Sequence, residues 1–333
     1  MLRLVQLKHS KRGRHVGIVN GKALVLVAEY QSVFELALAA IALKKSIQDL
    51  AETSNTAEEV NYDSVYKGDS EWRLLPPFDH PHEASRCLIT GTGLTHQASA
   101  TNRQAMHAKA DAELTDSMKM YRWGVEGGRP APGTIGASPE WFYKGCGTIL
   151  RAHNETLDVP NFADDGGEEA EVAGAYIVDP NGIPRRVGFM IGNEFSDHVF
   201  EKKNYLYLAH SKLRTCSIGP EIVVGGGLEG SQGTVKIERD GKSIWCQPFS
   251  TGESNMCHTV TNLEHHHFKY PTHRRAGDAH IHFLGADVFS FRDNVVLQDG
   301  DVMEIQLDGF GRPLRNPIRI DKSKPQFVEV KPL

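Results

Sequence analysis

Residues 166–225, GGEEAEVAGAYIVDPNGIPRRVGFMIGNEFSDHVFEKKNYLYLAHSKLRTCSIGPEIVVG, carry the pattern that decides the fold. Val172 to Val178 is apolar and partly β-branched, Asp179-Pro180-Asn181-Gly182 is turn chemistry, and Val187 to Ile191 is apolar again, so a β-hairpin is expected. Glu169 and Glu171 stand two apart at the start of its first strand, where the period of two points both to one face. A tight turn centred on Asn181-Gly182 pairs residues whose numbers sum to 363, which sets Glu194 opposite Glu169 and beside Glu171. A slip of one residue would send Glu194 to the other face. Carboxylates held about 5 Å apart repel unless a cation sits between them, and an all-oxygen set suits Mg²⁺, with Mn²⁺ as a substitute. Glu-x-Glu alone reads sooner as a solvated strand face; the third acid is what brings a metal level with that reading.

The order of short motifs extends this reading. Glu169-Ala170-Glu171, Gly192-Asn193-Glu194 with Ser196-Asp197, Ser211-Lys212 and Gly219-Pro220 resemble the signature of the fumarylacetoacetate hydrolase superfamily. Asn204-Tyr205-Leu206-Tyr207-Leu208 before Ser211-Lys212, and Pro139-Glu140-Trp141-Phe142-Tyr143-Lys144 upstream, resemble its sugar-acid branch, the 2-keto-3-deoxy-pentonate dehydratases. The likeness covers roughly residues 85–320. It implies a β-rich α+β fold, a mixed β-sandwich or β-roll catalytic domain over 85–333, behind a small N-terminal α/β domain over 1–75. It also implies that Glu169, Glu171 and Glu194 hold Mg²⁺ and makes Lys212 the candidate for proton transfer or charge stabilisation, since a lysine beside a divalent ion loses its proton more readily; Lys212 is read otherwise as a salt bridge to one of the metal carboxylates. Lys144 is read as a second substrate cation or as a structural partner of an acid.

Three departures bear on the chemistry. The family has Asp where this chain has Glu194, a longer arm. Hydrolases and decarboxylases of the family carry a His-x-x-Glu pair where His96 is followed by Ser99, which counts against water-consuming C–C cleavage and favours dehydration. His96 is read as a catalytic residue or as a hydrogen-bonded structural histidine. The family's Gly-Thr turn for the substrate carboxylate is Gly285-Ala286 here, so that contact falls to backbone N–H groups, Asp287 or Ser290, with Arg103 as a further cation.

With 37 Lys and Arg against 42 Asp and Glu, the net charge of −5 gives no basic field, and no basic run is interleaved with aromatics, so nucleic acid and anionic membrane are not expected partners. No apolar run reaches membrane-spanning length and the first fifteen residues lack a signal-peptide core. The five cysteines are scattered without C-x-x-C, as reduced thiols are in a cytoplasmic protein.

Elsewhere, Asn20-Gly21 signals a hairpin, 32–52 reads as an amphipathic helix, and 53–75 is polar and irregular, with a boundary near 70–85. Residues 95–123 read as one long helix with a stripe of Met106, Ala110, Leu114, Met118 and Tyr121, and with Arg103 and His107 on one face. Residues 124–138 form a Gly/Pro flap before the strand entering at Glu140. Gly225-Gly226-Gly227-Leu228-Glu229-Gly230 fits G-x-G-x-x-G but precedes a strand, which excludes a dinucleotide site. His265-His266-His267 cannot all ligate one ion from a helix and is assigned to a helix surface or dimer contact. The expected protein is therefore a Mg²⁺-dependent homodimeric lyase that dehydrates a 2-keto-3-deoxy sugar acid. The alternatives are a C–C hydrolase or decarboxylase on a 2,4-diketo or β-keto acid, and a non-catalytic sugar-acid binding protein.

Overall fold

The computed structural model describes residues 1–107 and 114–333; the side chains at 102, 103 and 105–107 also lie outside the described set. The chain opens with strands β1 (Leu2–His9), β2 (Gly13–Asn20) and β3 (Ala23–Val27), followed by helices α1 (Val33–Leu43) and α2 (Ile47–Thr53). Strand β4 (Asn55–Asn61), helix α3 (Tyr62–Lys67) and strand β5 (Trp72–Leu75) come next. Then follow β6 (Cys87–Gly91), α4 (Gln97–His107), α5 (Asp116–Gly127), β7 (Phe142–Cys146), β8 (Leu150–Arg151) and β9 (Leu157–Val159). The central hairpin is β10 (Ala170–Val178) with β11 (Pro184–Asn193), and α6 (His198–Lys203) and α7 (Leu208–Ser211) lead into β12 (Cys216–Val224). The remainder is β13 (Ser231–Arg239), β14 (Lys242–Thr251), α8 (Val260–Phe268), β15 (Ala279–Phe283), β16 (Val302–Leu307) and β17 (Leu314–Ile320).

Ten strands run β4-β3-β2-β1-β12-β11-β10-β15-β6-β7 in one sheet, with β5 added to β1 and β8 to β12; a second sheet runs β14-β13-β16-β17-β9. Because β1 pairs antiparallel with β12, the N-terminal strands continue the sheet that carries the hairpin. The two faces of β10 explain the packing. Ala173, Ala175 and Ile177 enter a core with Leu36, Ala40 and Ile281 beneath α1, whereas Val172 joins Phe189, Ile191, Val235 and Leu263 between the sheets and α8. Strand β10 is buried on both faces along its whole length, so a carboxylate placed on it has no water to retreat to.

Several local expectations are corrected. The helix over 32–52 is two helices: Lys44 takes a left-handed C-cap and Ser46 caps a new start through Asp49 N–H. Residues 53–75 hold β4, α3 and β5; β4 is an exposed edge strand, so no apolar alternation announced it. The long helix over 95–123 is α4 and α5, the second restarted by Thr115 accepting from Met118 N–H. Of its predicted stripe, Leu114, Met118 and Tyr121 are half-buried; Met106 and Ala110, like the Arg103–His107 face, lie outside the described residues. In the histidine triplet only His265 faces solvent: His266 bonds Gly136 O and His267 meets His280 at 3.0 Å.

Candidate active site

The hairpin reaches the expected register by two departures that cancel. The loop runs from Asp179 to Ile183, closed by Asp179 Oδ1 accepting from Asn181 and Ile183 N–H, so the first pairs are Val178–Pro184 and Tyr176–Arg186, one residue off the tight-turn prediction. A bulge at Val187 restores the sum: Ala175 pairs Gly188, Glu171 pairs Gly192, and Glu194 N–H donates to Glu169 O at 3.0 Å. Glu169, Glu171 and Glu194 thereby present carboxylate oxygens within 4.8 Å of one another, all buried.

Two lysines answer these charges. Lys212 Nζ lies 2.6 Å from Glu169 Oε1, 2.6 Å from Glu194 Oε2 and 2.9 Å from Ser196 Oγ. Lys144 Nζ lies 2.6 Å from Glu194 Oε1 and donates to Phe195 O and Lys212 O, which occupies all three of its protons. Glu194, the longer acid at this position, is thus gripped on both oxygens by separate ammonium groups.

Among the described residues no ammonium group bonds Glu171. Burial, then Glu194 and Glu169, drive its carboxyl well above the usual range, and Gly285 N–H at 2.7 Å from Oε2 only partly offsets this. Burial raises Glu194 too, despite both lysines. Burial works against the charge on Glu169 as well, but Lys212 and His198 outweigh it and hold that carboxyl well below its ordinary value. The residues fit a hard divalent cation: the donors are three oxygens at one point, and one of them takes up a proton where no added positive charge compensates it.

The sequence reading missed two members of the site. His198 Nε2 stands 3.0 Å from Glu169 Oε1, its ring stacked on Phe289 and Phe291. Glu168, wholly buried and raised chiefly by burial, accepts from both Ser290 N–H at 2.6 Å and Ser290 Oγ at 2.8 Å. The signal for His198 was its place directly after Asp197, which caps α6 and is itself held by Arg214 at 2.9 Å.

The expected substrate contacts are arranged differently from the sequence reading. Lys144 is spent on Glu194 and backbone carbonyls, and Ser290 is spent on Glu168. The Gly285 N–H points at Glu171, while Asp287 Oδ2 accepts from Ser250 N–H at 3.2 Å. Ala286 is buried beside them, and the Arg103 side chain lies outside the described residues. His96 is buried next to Thr95, which bonds Leu284 O, so it shares the 285–287 wall of the site.

No family model matches the chain. Over 130 residues it is 29% identical to the "Probable 2-keto-3-deoxyxylonate dehydratase" of Haloferax volcanii, a match covering 38% of this chain and 43% of that protein, so the shared stretch spans less than half of either. Solved structures align far more completely. A hexagonal crystal form of 2-keto-3-deoxyarabinonate dehydratase superposes with a TM-score of 0.71 at 20% identity, covering 96% of this chain and 100% of that one. 2-Keto-3-deoxy-D-arabinonate dehydratase complexed with magnesium and 2,5-dioxopentanoate gives 0.70 at 19%, with the same coverage. The chain has the fumarylacetoacetate hydrolase fold. Within this fold, 2-hydroxyhepta-2,4-diene-1,7-dioate isomerase of Mycobacterium marinum lies further off, at 0.59 and 16% identity over 97% of the chain. The fumarylacetoacetate hydrolase fold implied by the resemblance of the ordered motifs is borne out, and at these identities the likeness is one of fold.

Proposed function

We propose that the protein is a Mg²⁺-dependent hydro-lyase that converts a 2-keto-3-deoxy-pentonate to 2,5-dioxopentanoate. The reading is carried by the buried trio of Glu169, Glu171 and Glu194 with Lys212 set against it. It is supported by the fold shared with a dehydratase whose structure holds magnesium and 2,5-dioxopentanoate. Glu169, Glu171 and Glu194 would hold the divalent ion, which would supply the positive charge that makes the C3 protons of a bound 2-keto acid more acidic.

Everything else falls to side chains. Lys212, whose Nζ stands against Glu169 and Glu194, is assigned the proton transfer: beside a bound divalent cation its neutral form would be favoured, and the amine would take a proton from C3. The C3–H electrons form the C3=C4 bond, the 4-hydroxyl leaves, and the Lys212 ammonium returns its proton so that water departs. Lys144 keeps Glu194 in place, and His198 does the same for Glu169. Arg103 and the Ala286 backbone are assigned to the substrate carboxylate and Asp287 to its hydroxyls. Five free thiols suit a reducing cytoplasm, and exposed Leu206, Tyr207 and Leu213 around α7 suit a homodimer.

The test is mass spectrometry on 2-keto-3-deoxy-pentonates with Mg²⁺ or Mn²⁺. A product lighter by one water is expected. Fragments summing to substrate plus water would instead establish a C–C hydrolase, loss of CO₂ a decarboxylase, and tight binding without turnover a binding protein.

A further inference from the structure

The proposed reaction needs a second proton acceptor. Loss of a C3 proton and the 4-hydroxyl leaves an unsaturated keto acid with C3=C4 conjugated to the 2-keto group and a CH₂OH at C5. To become 2,5-dioxopentanoate, C5 must lose a proton while C4=C5 forms; C3 then gains a proton, and the resulting enol gains one at C4 and gives up its hydroxyl proton. No oxidant is required, since C5 is oxidised as C3 and C4 are reduced within the same molecule. Lys212 touches Glu169 and Glu194, so a base for C5 has to stand elsewhere around the trio.

His96 has the required lone pair. Thr95 Oγ1 donates its single proton to Leu284 O at 2.8 Å, so it can only accept from His96 Nδ1, 2.9 Å away. The imidazole is fixed with its proton on Nδ1, and Nε2 is a bare acceptor. That Nε2 is buried and has no hydrogen-bond partner among the described residues, in a side chain 1% exposed. Burial, opposed only by Asp287, lowers the ring to about 4 and keeps it neutral at working pH. Its position follows from Gly285, whose N–H bonds Glu171; at φ +101 a Cβ there would lie 2.0 Å from Thr95 Oγ1. The order Glu171, Gly285, Thr95, His96 therefore leads away from the trio, on the side of Glu171.

We propose that His96 Nε2 is the base for the second half of the reaction, taking the C5 proton of the unsaturated intermediate and delivering it to C3, after which the enol takes a proton from water at C4 and gives its hydroxyl proton back to water. The inference rests on the dehydratase reading and gives His96 a role different from that of Lys212. Its test follows the His96→Asn variant with Mg²⁺ by NMR and ultraviolet absorbance. The variant is expected to consume substrate but release the unsaturated hydroxy-keto acid, seen by its vinyl protons and conjugated absorbance, with 2,5-dioxopentanoate formed at least tenfold more slowly. Thr95→Val, which unlocks the tautomer, is expected to shift the products the same way, and wild-type enzyme on 5,5-dideuterated substrate should form aldehyde more slowly than on protiated substrate. Aldehyde formation by a folded His96→Asn variant at the wild-type rate overturns the inference. So does loss of substrate consumption in that variant together with no isotope effect in the wild type. If the wild type removes water from no sugar acid, the dehydratase reading itself has failed and this inference goes with it.

Discussion

At the level of single residues, the site is a balance between three carboxylates and two ammonium groups, and the two partners that can be removed from it predict opposite things. Lys212→Met deletes the proposed proton carrier but also the cation that competes for Glu169 and Glu194. Turnover should fall by about 10²–10⁴, while calorimetric Mn²⁺ affinity stays the same or rises; unchanged turnover would remove Lys212 from the chemistry. Glu171→Gln replaces a carboxyl that burial already drives toward its neutral form by a neutral isostere, and Gly285 N–H can still donate to the amide oxygen. The metal-free variant should unfold at the same urea concentration as wild type or a higher one, yet Mn²⁺ affinity should drop at least about 10–100-fold. A variant that binds Mn²⁺ normally would mean that Glu171 is not a ligand.

At the level of elements, the site depends on α6 closing over the β10–β11 hairpin at a point that leaves no room. A Cβ on Gly167 would lie 2.4 Å from His198 Nδ1, so Gly167→Ala must push the imidazole off Glu169. Circular dichroism should remain native while Mn²⁺ affinity falls by about 10–100-fold, the cost typical of losing a ligand's own partner; retained affinity would mean that His198 does not hold Glu169. This contact also marks where sequence reading stops. Glu169, Glu171 and Glu194 were legible because one hairpin relates them by a period of two and a register sum. The route to that sum, a longer loop compensated by a bulge at Val187, was not legible, because either departure alone is invisible to residue spacing. His198, Glu168 and the particular acid that Lys144 answers were not legible for another reason. Each is defined by a separate segment folding back onto the hairpin, and no local pattern records that approach. The breaks after Leu43 and before Asp116 were written in Ser46 and Thr115, caps that the longer apolar stripe obscured.

At the level of the whole molecule, the N-terminal strands share a sheet with the hairpin, and α3 meets the segment entering β17 through Tyr66 Oη on Pro313 O, Asp63 on Arg312 and a histidine wedged between them. His153 Nε2 meets Tyr66 O at 3.2 Å, Nδ1 accepts from Arg315 N–H at 3.2 Å, and the ring stacks on Tyr66 at 4.0 Å. Both nitrogens are satisfied only in the neutral form; a proton on Nδ1 would face a backbone donor. Burial, followed by Arg315 and Arg312, lowers His153 to about 4 from its ordinary 6.5, although the bond to Tyr66 O opposes the shift. Between those two pH values the unfolded chain binds a proton that the folded chain refuses, so the stability from this junction is complete above pH 6.5 and is lost as pH falls toward 4. Buried carboxyls such as Glu171 and Glu194, which are raised, act in the opposite sense over part of the same window, so total stability would mix the two. Comparison with His153→Gln cancels them, because the variant keeps every carboxyl and lacks only this titration. The stability of wild type relative to His153→Gln, from urea unfolding, should shrink by about 2 kcal/mol between pH 7.5 and pH 5. A difference that stays constant over that range would show that the seam between α3 and the second sheet tolerates a charged imidazole.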